Sequence, residues 1–512
     1  MEAFRWVVFT AILALVASKT AEEWKSRIIY QLLTDRFSQK GDNPNTACSD
    51  LSGYCGGSFK GIEEQLDYIQ GLGANAIWIS PIVENTVNGY HGYWAKNIYK
   101  VNPEFGTEVE LKSLITECHK RDIWVMFDVV ANHMGRQSGC IDRSCPTEQL
   151  TNFTEFAPFD QQDQYHELCY IQESSNQSEI EQCRLGILPD LNQTESYVRQ
   201  TLLDWISNLT REYNVDGLRI DTLCEVPKPF WREFQKSAGV FCLGEANYYD
   251  RPRYLASYQG EALEALLNFP MYWALRRSFN DKEHMTELLD SIDLQNEIFI
   301  DTTVLGLFVD NHDFQRFLNI TPDVTLLRNA LVFVFFSQGI PVVYYGTEQL
   351  FHGGADPDNR ESLWPHFDNT TAMYQFIRQL ADARKFSGVS FGDLNQNVVY
   401  VDNDTLVLTR GDNPSQLLIA VTNVGKSQGS VQKTVHNLTD TGSGAVFVNI
   451  WDNKDRVTVN DGVLTISLTN GQPKIFKLAE TTPYKSSATA MFMHHLTAIL
   501  SLCLAIFSKQ FA

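Results

Sequence analysis

The sequence predicts an α/β protein: a (β/α)8 barrel with a domain inserted after its third strand, followed by an antiparallel β-sandwich. Three observations carry that prediction. Short apolar runs alternate with helical patterns from the mature N-terminus to about Lys385, and alternating β and α segments imply a parallel sheet. One interval, Asn132 to Pro189, breaks the rhythm. It is polar, rich in Asn, Gln and Glu, and holds four cysteines; a barrel loop that long is a subdomain or is functional. After Lys385 the pattern changes to short alternating strands separated by turn residues, which reads as a sandwich.

Ile28 to Leu33 reads as strand one. Gly61 to Leu72 carries apolar residues at 62, 66, 69 and 72, a helical stripe. Ala76 to Ile79 is strand two, and Leu111, Leu114, Ile115 and Cys118 mark the next helix. Trp124 to Val130 is strand three. Strands four to eight are expected at Gly217 to Ile220, Val240 to Leu243, Ala265 to Leu267, Leu305 to Val309 and Pro341 to Tyr345. Eight such units close into a barrel. The sandwich strands are expected at Val398–Val401, Thr405–Thr409, Gln416–Thr422, Ala445–Ile450 and Val463–Ser467.

A chain of 512 residues exceeds one ordinary core. It divides into 1–21 as a leader, 22–131 and 190–387 as the barrel, 132–189 as the insert, 388–480 as the sandwich and 481–512 as a tail. The net charge of −21 argues against nucleic acid and anionic membrane surfaces, whose affinity comes from clustered Lys and Arg. Arg5 precedes the apolar run Trp6 to Ala17, with small residues after it, the layout of a secretory leader. The apolar run Leu496 to Phe507 follows Ser486-Ser487-Ala488, the layout of a glycosylphosphatidylinositol signal with Ser486 or Ser487 as the attachment residue. Export makes disulfides an expectation. Three sequence-local pairs stand out, Cys48–Cys55, Cys140–Cys145 and Cys169–Cys183, although spacing does not fix connectivity. Asn152, Asn176, Asn192, Asn208, Asn319, Asn369, Asn403 and Asn437 each begin an Asn-x-Ser/Thr acceptor site for glycans.

Four stretches carry the chemistry: Asp128-Val129-Val130-Ala131-Asn132-His133, Gly217-Leu218-Arg219-Ile220-Asp221, Gly244-Glu245 and Val309-Asp310-Asn311-His312-Asp313. Each is an apolar run ending in acidic, His or Arg residues. Strand ends and the loops after them build the active site of such a barrel. Any one acidic residue alone would read as a solvated loop charge; three carboxylates at three strand ends are what glycosidic chemistry needs.

In order and spacing these stretches resemble the α-amylase family of retaining α-glucosidases, closest to secreted fungal-type enzymes. The resemblance runs from about Arg27 to Lys385 and more loosely to Leu478. It implies Asp221 as nucleophile, with the fixed positive charge of Arg219 two residues earlier on the same strand face. It implies Glu245 as general acid/base, held protonated by partial burial and neighbouring anions, and Asp313 as the third carboxylate, stabilising the oxocarbenium-like transition state. His133 and His312 match positions that hydrogen-bond the sugar being cleaved. His91-Gly92-Tyr93-Trp94 matches a substrate wall, with Tyr93 as a stacking platform, and Asp356 and Arg360 match a grip on the non-reducing side. Asn132, Glu181 and Asp190, with the backbone carbonyl of Glu225, match a structural Ca²⁺ site between barrel and insert. The first and third cysteine pairs match bridged positions. The substrate implied is an α-1,4-glucan such as starch or glycogen, acted on by a monomer.

The chain departs from that pattern twice. After Asp221, where fungal enzymes carry Lys and His on the leaving-group side, it reads Thr222-Leu223-Cys224-Glu225, so Glu225 stands at a substrate-binding position. The loop Pro81 to Tyr90 is shorter. Both changes could favour a glucan acceptor over water, that is, a 4-α-glucanotransferase, because hydrolysis and transfer share one covalent intermediate. A non-catalytic binding protein of the same fold ranks far lower, because all three carboxylates are kept.

Overall fold

The computed structural model describes residues 19–41, 45–248, 251–426, 429–438 and 441–479. The leader's apolar run, Ser486, Ser487 and the apolar tail lie outside these residues. Among the described residues no helix is long and apolar enough to cross a membrane.

Eight parallel strands form the barrel: β1 Ile29–Leu32, β2 Ala76–Ile79, β3 Trp124–Val129, β4 Gly217–Ile220, β5 Phe241–Gly244, β6 Ala265–Leu266, β7 Gly306–Leu307 and β8 Ile340–Tyr344. Neighbours pair in sequence order, and β8 returns to β1 with Ile29 opposite Val342. A bridge between Leu267 and Gly306 joins β6 to β7 and closes the ring. The apolar run expected for strand seven is longer than its ladder. Phe308 and Val309 leave the ladder but stay buried, 2% and 4% exposed.

Side chains of period two fill the lumen. Ile29, Ala76, Trp124, Phe241, Ala265 and Val342 form its apolar layers. The short helix Ala21–Trp24, capped by Thr20, seals the N-terminal end. It therefore begins inside the segment assigned to the leader. Trp24 stacks on Phe241 at 5.2 Å, meets Trp124 edge-on at 5.1 Å, and donates its indole N–H to the Asp216 carbonyl at 3.1 Å. Gly217 makes room for it: a Cβ there would lie 2.7 Å from the Trp24 ring. The expected helix at 61–72 is two pieces, Phe59–Glu64 and Leu66–Leu72, which meet at Gln65.

The insert leaves β3 and returns with its two ends fastened together. Met134 N–H donates to the Pro189 carbonyl at 3.0 Å, and Leu191 N–H to the Asn132 carbonyl at 2.9 Å. Cys140–Cys145 and Cys169–Cys183 are bridged within it, and Cys48–Cys55 is bridged in the barrel loop after β1. Cys118, Cys224 and Cys242 are free and buried.

The C-terminal domain has β9 Gln396–Val401, β10 Thr405–Arg410, β11 Leu417–Thr422, β12 Ser430–Val435, β13 Val446–Asn449, β14 Arg456–Thr458, β15 Leu464–Thr469 and β16 Lys474–Leu478. Six pair antiparallel in the order β9-β10-β11-β16-β13-β14, and β12 pairs with β15 over them. Val407, Leu418, Phe447, Ile466 and Phe476 fill the layer between the sheets. The opposite face of β10 and β11, with Leu406, Leu408 and Ile419, joins the barrel core. Three of these strands (β12, β14 and β16) go beyond the sequence expectation.

Candidate active site

The same period two that fills the lumen brings charge to its C-terminal end. Asp128 of β3 lies in register with Arg219 of β4, and Arg219 with Leu243 of β5. Two residues further up, Asp221 N–H donates to the Val129 carbonyl and Glu245 N–H to the Ile220 carbonyl. Asp128, Arg219, Asp221 and Glu245 therefore converge from three adjacent strands.

Arg219 is the hub, with a side chain 1% exposed. Its Nη1 donates to Asp128 Oδ1 at 2.9 Å and to Asp221 Oδ1 at 2.8 Å, and its Nη2 to Glu245 Oε2. Asp128 also accepts from Tyr93 Oη at 2.7 Å and Trp78 Nε1 at 2.9 Å. Burial pushes the Asp128 carboxyl up, against the pull of Arg219. Burial likewise drives Glu245 well above the ordinary carboxylate range, and the anions Asp221 and Asp313 add to it despite Arg219. Asp128 was absent from the expected site residues. Its signal was a carboxylate inside an otherwise apolar strand, which needs a buried cation.

Asp313 keeps a third of its side chain open, 34% exposed, and burial of the remainder raises its carboxyl. His312 Nε2 lies 3.4 Å from Asp313 Oδ1, and Gln31 Nε2 lies 2.8 Å from His312 Nδ1. Arg360 Nη2 approaches Asp313 at 3.7 Å, pairs with Asp356 at 3.0 Å and donates to Tyr90 Oη at 3.1 Å. Asp313, Asp356 and Arg360 thus stand together on one side of the centre, tied by Tyr90.

The other wall is aromatic. Tyr93 lies parallel to His312 at 5.3 Å. His91 Nδ1 accepts the Tyr93 N–H at 3.0 Å, which leaves the proton of neutral His91 on Nε2 as a donor. His133 Nε2 lies 3.2 Å from the Tyr93 carbonyl. Burial lowers the pKa of His91, His133 and His312, so all three act as neutral hydrogen-bonding groups. Trp94 meets His91 edge-on at 4.5 Å, and the Arg136 guanidinium covers its ring at 3.8 Å.

Beyond Asp221 the chain turns through Thr222 at φ 48°. Cys224 is buried, 1% exposed, and Glu225 is half-buried. Burial and nearby Asp221 push the Glu225 carboxyl up to about 7. The Glu225 backbone carbonyl points elsewhere. It lies 3.2 Å from one side-chain amide atom of Asn132, and Asp190 Oδ1 lies 3.2 Å from the same atom. As Nδ2 that atom donates to both oxygens; as Oδ1, with Nδ2 turned to His133 Nδ1, it leaves three acceptors facing one another. Such a donor set suits a hard cation. Asp190 also pairs with His166 at 2.6 Å, and burial pushes it up to about 6. Glu181 accepts from Gln177 Nε2 at 2.6 Å. Among the described residues no group of three or more His, Cys, Asp or Glu is placed to hold a metal ion, so amide and carbonyl oxygens would have to complete any such site. Seven of the eight glycan acceptors are exposed, and Asn192 is half-buried.

Known proteins share this fold. Residues 31–386 match the family model of the alpha amylase catalytic domain, and 398–486 that of alpha-amylase domain C. Alpha-amylase 1 of Schwanniomyces occidentalis is 36% identical over 476 residues, covering 90% of each chain. The alpha-amylase of Saccharomycopsis fibuligera is 36% identical, covering 89% of this chain and 92% of its own. The solved structure of an alpha-amylase from Malbranchea cinnamomea superposes with a TM-score of 0.83 at 36% identity, over 90% of this chain and 97% of that one. These matches extend over nearly the whole described chain, which belongs to the alpha-amylase family of glycoside hydrolases.

Proposed function

We propose that the protein is an endo-acting α-amylase that cleaves α-1,4-glucosidic bonds of starch- or glycogen-type glucans with retention. One observation carries the mechanism: two carboxylates, Asp221 and Glu245, are fastened to the two Nη atoms of a single buried guanidinium. Sharing one guanidinium favours the short separation of a retaining pair, about 5 Å, over the wider gap of an inverting one.

Asp221 attacks the anomeric carbon while Glu245, kept neutral by burial, gives its proton to the departing oxygen. The covalent glycosyl ester then forms on Asp221. Glu245, now anionic, takes a proton from water, whose oxygen attacks the same carbon and releases Asp221. Arg219 offsets the negative charge of whichever of the two carboxylates is ionised at each step. Asp313 and His312 hold the ring, His91 and His133 bond its hydroxyls, Tyr93 backs its apolar face, and Asp356 and Arg360 take the next sugar.

Asn132, Asp190 and the Glu225 carbonyl would hold Ca²⁺, with Glu181 as a further ligand from the insert. The ion would clamp insert to barrel and position the Glu225 loop. The leader pattern and three disulfides support export, and the tail pattern supports a lipid anchor at Ser486 or Ser487.

Incubation with maltoheptaose and Ca²⁺, read by mass spectrometry and reducing-end assay, tests the reading. Shorter products with rising reducing ends are expected. Products longer than the substrate with constant reducing ends would instead make the enzyme a 4-α-glucanotransferase.

A further inference from the structure

The loop that carries Asp313 is held at both ends by one buried guanidinium that the mechanism above does not use. Nη2 of Arg276 donates to Asp310 Oδ1 at 3.1 Å and to the Gln315 carbonyl at 2.8 Å, so it grips the chain before and after Asp313. Buried Asp310 closes the loop further. It accepts from Phe317 N–H at 2.6 Å and, on its other oxygen, from Thr347 Oγ1 at 3.3 Å. Between these ends Asn311 Oδ1 accepts the N–H groups of Asp313 and Phe314, at 3.0 and 3.1 Å. The backbone that presents Asp313 is therefore fixed from beneath.

Arg276 is itself placed from the sandwich. The helix Phe269–Leu275 after β6 runs into a π-helical turn, Arg276–Asn280, a rare geometry that recurs at functional sites. Arg276 Nη1 donates to Asn280 Oδ1 at 3.1 Å, and Asn280 Nδ2 to the Phe317 carbonyl at 3.2 Å. Asn423, buried just after β11, donates its Nδ2 to the Ser278 carbonyl within the turn at 3.0 Å and to the Glu283 carbonyl beyond it at 2.6 Å. Met285 N–H donates to the Asn403 carbonyl, between β9 and β10, at 3.0 Å. A chain of hydrogen bonds thus runs from the sandwich through the π-helical turn and Arg276 to the loop of Asp313. A buried ion pair adds little net stability over apolar residues of similar volume. What the Arg276–Asp310 pair supplies is one fixed geometry.

We propose that Arg276 is a positioning residue for Asp313, and that Asn423 holds the turn bearing Arg276, so that the C-terminal sandwich acts on the reaction through the loop 310–317. This rests on the α-amylase reading and adds a part for the sandwich to it. Asp313 is the carboxylate assigned to the oxocarbenium-like transition state. A small displacement of it costs the chemical step more than it costs substrate binding.

The test is the full protein carrying Arg276→Met and Asp310→Asn together. That change removes the ion pair without stranding a buried charge, and it keeps an oxygen for Phe317 N–H. Melting temperature, kcat and KM on maltoheptaose, and amide hydrogen exchange of residues 310–317 are read. We expect kcat to fall about 10–100-fold while KM stays within about twofold, with faster exchange in the loop. Asn423→Ala should lower kcat in the same way, by about threefold. Arg276→Lys keeps the charge but cannot reach Asp310, Gln315 and Asn280 at once; its kcat should also fall, and it decides the matter if the double variant does not fold. The parent's kcat in a folded variant at Arg276 overturns the proposal, whatever its melting temperature, because a merely structural pair would move the melting temperature alone. The parent's kcat in Asn423→Ala only would overturn the part given to the sandwich and leave that of Arg276 standing. If the parent does not cleave maltoheptaose, the α-amylase reading fails; faster exchange in the variants then still supports the clamp on the loop, and unchanged exchange overturns it.

Discussion

The two ends of one barrel obey opposite rules. At the N-terminal end alternate strand positions are Ile29, Ala76, Trp124 and Phe241, closed by Trp24. A few residues along the same strands, at the C-terminal end, the inward positions are Asp128, Arg219, Asp221 and Glu245. The lower end is filled by apolar layers, and the Trp24 indole finds a carbonyl. The upper end holds three carboxylates on one buried arginine, and burial raises the pKa of Asp128 and Glu245 there. Apolar packing and the charged rim are separated along the strand axis by four residues, Trp124 to Asp128 and Phe241 to Glu245, which is why this architecture tolerates a costly active site.

Mutations on either side should separate cleanly. Glu245→Gln is expected to lower kcat by about 10³–10⁴-fold without lowering the melting temperature. Activity close to that of the parent would break the assignment of the upper end. Trp24→Ala should cost about 3–5 kcal/mol of stability by leaving a cavity under the lumen. Calorimetry reads that loss, while kcat of the folded fraction at low temperature should stay that of the parent. A fall in kcat instead would mean that the two ends are coupled. Chelation should lower stability by about 2–4 kcal/mol if Ca²⁺ normally stands well above its dissociation constant. Asn132→Ala should make the protein insensitive to the chelator. An unchanged response in that variant would place the ion elsewhere.

The finest distinction is one of pH. Burial raises the folded pKa of Glu245 above its unfolded value. Its stabilising protonated form is fully present below the unfolded pKa, and stability is lost as pH rises from there through the folded value. Glu245→Gln removes that loss. The variant should therefore match the parent in acid and exceed it in stability at neutral pH, as chemical denaturation at several pH values would reveal. A constant difference across pH would show Glu245 to be ionised in the folded enzyme.

Much of this was legible in the sequence because buried strands are continuous apolar runs and catalytic groups interrupt their ends. Asp221, Glu245 and Asp313 stand out that way, and the three sequence-local cysteine pairs are the bridged ones, although spacing did not fix their connectivity. What stayed hidden depends on pairing across the ring. Asp128 becomes a site residue only when Arg219 lies beside it in register. Trp24 reads as part of a leader boundary until β3 and β5 supply its stacking partners. Strands such as Ser430–Val435 escaped because Gln432 and Thr434 face solvent and the apolar alternation is thin. The Asn132–Asp190–Glu225 cluster joins residues far apart in the chain, and only the family resemblance brought them together.

Trp24 also constrains the order of events during synthesis. It leaves the ribosome before every barrel strand, yet its hydrogen-bond acceptor lies 192 residues later. Until that distant segment arrives, a large aromatic side chain has no site to occupy. Contacts of such sequence separation slow folding and leave apolar surface uncovered meanwhile. The nascent chain thus carries its stopper from the outset but can seat it on Phe241 of β5 only after more than half of the barrel strands have emerged, so sealing is a late step.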